Sequence, residues 1–142
     1  MVRGLLIGCL FAVLVGCAST PVDIETAPRA KTSSVLDRTF LKAAADKGII
    51  RIVRDGGLIG AGLYALVYLD GRHIANIESN EVLELHVPSG ERQLGLQIND
   101  VSDPIVYEDV RVEGGRTYDF RISIEGNGWT AKGKLQPLRR AD

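Results

Sequence analysis

Cysteine and histidine, the residues most often used for thiol and metal chemistry, are scarce in this chain of 142 residues. It has two Cys, two His and one Trp, and its 17 basic and 18 acidic side chains leave a net charge of −1. A balance so close to neutral argues against nucleic acid as a partner, because phosphate binding needs a basic surface. With 45% hydrophobic and 25% charged residues, the composition is that of one globular domain and excludes a largely disordered chain.

The sequence begins with an uncharged apolar run that is too short to span a bilayer as a helix. The run covers residues 4–16 and follows the positively charged Arg3. A helix of that length reaches about 20 Å, whereas the hydrocarbon core is about 30 Å thick. We therefore interpret residues 1–16 as a secretion signal peptide.

The residues Leu14-Val15-Gly16-Cys17 resemble the lipobox of bacterial lipoproteins. The resemblance implies that the Cys17 thiol receives a diacylglycerol, that the chain is cut just before it, and that in many bacteria the new amine is acylated. The alternative is an ordinary signal peptide with a chance cysteine. Cys9 would leave with the signal, so the mature chain has no second thiol for a disulfide. In lipoproteins of Gram-negative bacteria, Asp directly after the cysteine favours retention in the inner membrane. This chain has Ala18 there, so the resemblance implies attachment to the outer membrane, facing the periplasm.

After the signal we predict a flexible linker over residues 17–34 and a short helix over residues 35–47. The linker is rich in Ala, Ser, Thr and Pro and has no apolar period. Fully extended, it would let a folded body stand off the lipid by roughly 55–60 Å. Ser34 is a suitable N-cap, and Leu36 and Phe40 share a helical face, although more linker is the alternative.

Residues 48–136 show the two-residue apolar alternation of short β-strands. The alternation is clearest over residues 118–125, where Phe120 and Ile122 are flanked by polar residues. Turn signals separate these segments: Asp70-Gly71, Pro88-Ser89-Gly90, Gly114-Gly115 and Asn127-Gly128. The spacing predicts a mainly β fold, a small antiparallel β-sandwich of about 7–8 strands, with a tail at residues 137–142.

Three segments around these turns occur in a distinctive order. They are residues 67–72 (Val-Tyr-Leu-Asp-Gly-Arg), 83–90 (Leu-Glu-Leu-His-Val-Pro-Ser-Gly) and 114–118 (Gly-Gly-Arg-Thr-Tyr). They resemble the turns of PEGA-like domains and of related uncharacterised lipoprotein domains of Gram-negative bacteria, although Pro-Ser-Gly-Glu stands where those families have Pro-Gly-Lys-His. The resemblance covers roughly residues 48–136 and implies a small β-sandwich, without implying an activity.

No combination of side chains predicts a catalytic, metal or cofactor site. His73 and His86 lack partners at metal-ligand spacing and are interpreted as exposed surface residues. The glycines of residues 56–62 lack the Lys-Ser/Thr of a phosphate-binding loop, so we interpret them as a flexible loop. The acidic pairs at residues 108–109 and at positions 100 and 103 are interpreted as solvated turns rather than Ca²⁺ sites. Trp129 is predicted to lie in the core.

Basic side chains gather in the last strand and the tail: Lys132, Lys134, Arg139 and Arg140. The two lysines alternate with apolar residues and should face solvent, where charges on an edge strand guard against aggregation. The alternative is a weak contact with anionic lipid headgroups or acidic envelope polymers, close to the anchored Cys17.

Three classes of function remain open on this sequence. The favoured one is a lipid-anchored binding or structural module of the cell envelope, whose partners are the membrane and an unidentified envelope protein or polymer. The second is an inhibitor or accessory factor of a periplasmic enzyme. An enzyme is disfavoured, because no nucleophile, base and orienting group can be assembled from the sequence. An exposed apolar patch would favour the first class, and a deep pocket with two carboxylates would favour the third.

Overall fold

The computed structural model describes residues 19–98, 103–127 and 130–138, and it confirms the predicted small β-sandwich. Its strands are β1 (Lys47–Arg54), β2 (Ala65–Leu69), β3 (Arg72–Ile77), β4 (Val82–Pro88), β5 (Gly90–Ile98), β6 (Val106–Val112), β7 (Thr117–Asn127) and β8 (Thr130–Pro137). They form two four-stranded sheets with the orders β4-β1-β7-β8 and β3-β2-β5-β6. The turns predicted at Asp70-Gly71, Pro88-Ser89-Gly90 and Gly114-Gly115 all connect consecutive strands.

The core lies between the two sheets and consists of one side of each strand. In β1 and β7 the even-numbered residues point inward, so that Ile50, Ile52, Phe120 and Ile122 are all buried. β2 lies in the interior of its sheet, between β3 and β5, as its apolar character on both faces indicates. Burial of the alternating apolar residues therefore fixes which side of each strand faces the opposite sheet.

One strand pair departs from the antiparallel pattern. β1 runs parallel to β7, with Ile49 opposite Thr117 and Arg54 opposite Ile122. The other five pairs described are antiparallel. Side chains alternate with the same period in both arrangements, so the sequence pattern gives no sign of this parallel pair.

The predicted helix over residues 35–47 is wrong. The structure has two short 3₁₀ turns instead, at Thr32–Ser34 and Arg38–Leu41. Between them Val35 has an extended backbone and forms a β-bridge with Ala75 of β3. Val35 is buried by this pairing, and burial of its side chain against the sheet outweighs the helical preference of the segment.

Residues 28–36 close one side of the sandwich, although a flexible linker was predicted up to residue 34 and a helix from residue 35. Ala30 N donates to Val82 O of β4 (2.8 Å), and Val82 N donates to Pro28 O (2.9 Å). A few residues later Leu36 N donates to Ile74 O of β3 (2.8 Å). The edges of β4 and β3 are therefore both partly covered, whereas β8 and β6 form the edges on the opposite side.

Four connections lie at the same end of the sandwich, which we call the glycine-loop end. Ala65, at the start of β2, is opposite both Ile77 and Ile98, so the β1–β2, β3–β4 and β5–β6 connections meet there. Asp55 N donates to Ile122 O (2.9 Å), which brings the β7–β8 hairpin to the same end. The β1–β2 connection, residues 56–64, is the glycine loop. The strand that follows this loop begins at Ala65.

Candidate functional site

An N-terminal strap, residues 19–31, crosses the outer face of the β4-β1-β7 sheet. It begins at the glycine loop, where Thr20 N donates to Gly56 O (2.8 Å) and Gly56 N donates to Thr20 O (2.9 Å). It continues past β1, where Val22 N donates to the carboxylate of Asp55 (3.1 Å). It then reaches β4, where Arg29 forms an ion pair with Glu84 (2.7 Å). The flexible linker predicted over these residues is therefore wrong: the strap is hydrogen-bonded along the sheet.

Two ion pairs organise the sheet face that the strap crosses. Arg51 of β1 donates two 2.8 Å hydrogen bonds to Asp119 of β7 and also binds Glu25 of the strap. These hydrogen bonds, first from Asp119 and then from Glu25, raise the pKa of Arg51. Asp55, buried at the end of β1, pairs with Arg121. Glu25 of the strap therefore adds a second carboxylate to the Arg51–Asp119 ion pair of the sheet.

Arg54 is the most deeply buried charged side chain described, with an exposure of 1%. Its guanidinium group donates to three main-chain carbonyls, those of Leu63 (2.6 Å), Gly60 (2.7 Å) and Ile77 (2.8 Å). Burial lowers the pKa of Arg54, while the charges of nearby glutamates raise it. Since two of the three carbonyls belong to the glycine loop, Arg54 fixes the loop to the end of the core.

The glycine loop carries the most exposed large apolar side chain described. Leu58 is 98% exposed, and Tyr64 at the end of the loop is 45% exposed. Between them, Ile59 and Leu63 are turned inward and pack against the core. The sequence does not single out Leu58, because one leucine among glycines gives no periodic signal. Its exposure follows from the loop conformation.

The two histidines lie apart from this end and from each other. His73 is exposed as predicted, and its Nε2 lies 2.7 Å from Asn76 Oδ1. His86 is half-buried beside the strap, contrary to the predicted exposure. Within residues 19–98, 103–127 and 130–138, no group of three His, Cys, Asp or Glu side chains is placed to hold a metal ion.

The basic residues singled out in the sequence do not all lie at one place. Lys132 and Lys134 are exposed on β8, which is an edge strand, and Lys132 is opposite Glu125 near the glycine-loop end. β8 then runs toward the other end, where Leu138 N donates to Asp119 O (2.7 Å). Arg139 and Arg140 lie outside the described residues, as do Cys17 and Trp129.

Open clefts mark the surface. One lies between the strap and β4 and includes Glu84 and His86. Another lies beside the glycine loop and includes Tyr64 and Glu78. A third, mostly apolar, is lined by residues of β5, β6 and β8. Each of these three clefts contains a single carboxylate, so their geometry suits surface contact more than acid–base chemistry by a carboxylate pair.

Comparisons with known proteins give no relative whose functional site could be compared with this one. No protein-family model, curated protein or solved structure matches this chain. Separately, no helix among the described residues is both long and apolar enough to cross a membrane.

Proposed function

We propose that this chain is a lipoprotein of the bacterial cell envelope, anchored through Cys17, with its β-sandwich serving as a binding or structural module. The observation that carries the proposal is the order of its first 17 residues: a basic start at Arg3, the uncharged run 4–16, and a cysteine directly after Leu14-Val15-Gly16. A signal peptidase needs small residues before the cleavage point, and lipid attachment needs a thiol at the membrane surface.

The position of the strap supports this proposal. Thr20, three residues after Cys17, is already hydrogen-bonded to Gly56 of the sandwich. A mature chain starting at Cys17 therefore keeps this bridge. Two or more acyl chains give durable membrane attachment, whereas one gives only marginal binding.

The module acts, on this proposal, by contact rather than by catalysis. It presents the two edge strands β6 and β8, and edge strands bind partners through main-chain pairing. Its partner is an unidentified envelope protein or polymer. The similarity of its turns to PEGA-like domains, together with Ala18 after the anchor cysteine, extends the proposal to the periplasmic face of the outer membrane.

Metabolic labelling tests the anchor. The full chain expressed in a Gram-negative bacterium should incorporate labelled palmitate and sediment with membranes, because Cys17 is acylated. Cys17→Ser should abolish both the label and the sedimentation. Cys9→Ser is the matched control and should preserve both, since that cysteine lies in the segment that is removed. A wild-type chain without label, cleaved elsewhere and found in the soluble fraction, would overturn the proposal.

A further inference from the structure

The chain enters the sandwich at the glycine-loop end. The two hydrogen bonds between Thr20 and Gly56 form an antiparallel bridge that fixes this entry point. Three residue steps separate Cys17 from Thr20, so their Cα atoms can be no more than about 11 Å apart. Any group attached to Cys17 is therefore held close to the glycine loop, because the strap leaves no long free linker.

Exposed apolar side chains collect at this same end. Leu58 is 98% exposed, Tyr64 is 45% exposed, and Val106 at the start of β6 is 37% exposed. A single exposed leucine is ordinary on a protein surface, but here it lies at the tip of the loop beside the chain's entry point. Leucine and tyrosine are side chains that favour the boundary between lipid and water.

Contacts between the glycine loop and the core hold the backbone next to Leu58 in place. Ile59 and Leu63 are packed inward, and Arg54 binds the carbonyls of Gly60 and Leu63. Gly60 has a φ of +74°, and a Cβ there would lie 2.7 Å from the side chain of Ile124. The backbone that follows Leu58 is therefore held against the core, so that Leu58 projects outward without opening the fold.

Charge at this end does not favour an anionic surface. Glu78 and Glu81 lie in and after the β3–β4 turn, and Glu125 lies near the β7–β8 hairpin. Lys132 lies opposite Glu125 in the β7–β8 pair. A contact made here must therefore gain its free energy from apolar burial rather than from attraction to negative headgroups.

From these observations we infer that the glycine-loop end faces the bilayer, with Leu58 inserted into the headgroup region and Tyr64 beside it. The inference rests on the proposed lipid anchor and deepens it, because it assigns the orientation of the anchored body. The partner is a lipid surface, of zwitterionic as well as anionic composition. The opposite end, with the Gly114-Gly115 turn, then faces away from the membrane.

Site-directed fluorescence tests this orientation in the full, lipidated protein. Leu58→Cys labelled with an environment-sensitive dye and placed in zwitterionic vesicles should show blue-shifted emission. Lipids with a nitroxide in the headgroup region should quench it. Acylation blocks Cys17 and Cys9 is removed with the signal, so the introduced thiol is labelled alone. Leu58 is fully exposed, so its replacement leaves the packing of the fold unchanged.

Two control positions define the expected contrast. Leu36→Cys replaces another exposed leucine, which lies on the β3 edge with 54% exposure. Arg116→Cys lies at the opposite end, where Arg116 O accepts from Ile49 N, about 20 Å along β1 from the glycine loop. Both labels should be unquenched. If the dye at position 58 is quenched no more than the dye at position 116, the orientation is wrong.

Failure of the anchor and failure of the orientation give different results. A chain that incorporates palmitate and floats with vesicles, but shows no quenching at position 58, overturns the orientation alone. A chain that never incorporates palmitate overturns the proposed anchor and the orientation with it.

Lengthening the anchor segment adds an independent test. A ten-residue Gly/Ser insertion between Ala18 and Ser19 lets the body move about 18 Å from the anchor. Quenching at position 58 should then fall, because the short segment no longer holds the loop at the lipid. Unchanged quenching would contradict the role assigned to this short segment.

Discussion

At the scale of single residues, Arg54 determines how the glycine loop is attached. A buried arginine is costly unless its donors are satisfied. The two terminal nitrogens of Arg54 donate to the carbonyls of Gly60, Leu63 and Ile77, whereas its buried Nε has no hydrogen-bond partner among the described residues. In return, Arg54 gives each of these carbonyls a hydrogen-bond donor at a site that is buried or partly buried. The side chain thus connects the end of β1 to the loop and to β3.

Replacing Arg54 by Met should destabilise the protein by about 2–4 kcal/mol, because one buried and two partly buried carbonyls lose a charged donor. The loss is measured as the free energy of unfolding in urea. Amide hydrogen exchange should also rise in residues 60–63. Arg116→Met is the matched control, since Arg116 is exposed, and it should change stability by less than about 0.5 kcal/mol. Equal effects of the two substitutions would mean that Arg54 does not hold the loop.

The burial of Arg54 has a signal in the sequence. Arg54 is in phase with Ile50 and Ile52, whose side chains point into the core, whereas Arg51 is in the opposite phase and faces outward. A charged residue at a core position predicts a buried polar contact. Which carbonyls it binds could not be predicted, because they come from a loop and from another strand.

At the scale of elements, the N-terminal strap is an integral part of the sheet. Val53 and Val82 lie on the outer side of their strands, yet they are 0% and 6% exposed. Their burial follows from the strap, whose residues 28–30 pair with Val82 and whose Val22 binds Asp55. The strap therefore gives the outer face of this sheet a second, smaller apolar layer.

Removing the strap should destabilise the sandwich. A chain beginning at Ser34 exposes Val53 and Val82 and leaves Asp55 without its main-chain donor, so we expect a loss of about 3 kcal/mol or more. The comparison is the midpoint of thermal unfolding against a chain beginning at Ser19. Identical midpoints would show that the strap contributes nothing to the fold.

The exposed lysines of the edge strand β8 give a further prediction. Lys132 and Lys134 are exposed on a strand with a free side, and outward charges discourage pairing with another copy. Lys132→Val with Lys134→Val should promote self-association, seen as larger species in sedimentation velocity. Lys31→Val with Lys42→Val, which lie outside the strands, should leave the protein monomeric. A monomeric double β8 variant would contradict the guarding role.

The elements that local pattern could predict are those whose residues pack by a regular period. The alternation around Phe120 and the Asp70-Gly71 turn predicted β7 and the β2–β3 hairpin, since each depends on neighbouring residues. The strap was missed because Val22 and Ile24 are too few to make a period, and their burial depends on a sheet formed later in the chain. The predicted helix failed for the same reason, since Val35 is held by β3.

At the scale of the whole molecule, the sandwich has one closed side and one open side. Residues 28–36 cover the edges of β4 and β3, while β6 and β8 pair with no further strand within the part of the chain that the structure describes. With the anchor at the glycine-loop end, as proposed, the open edges stand upright from the membrane and both are accessible to a partner lying beside the protein. A partner that adds a strand would therefore approach along the membrane plane rather than from above.

The parallel pairing of β1 with β7 also determines when the first sheet can form during folding. Arg51 and Asp119, which meet in this pair, are 68 residues apart in the chain. Contacts over such separations form late, because a large loop must close first. On the proposed export, which begins with the N-terminus, β1 would cross the membrane long before β7 is available. The first sheet would stay open during that interval, so Cys17 could be acylated while the rest of the chain is still unfolded.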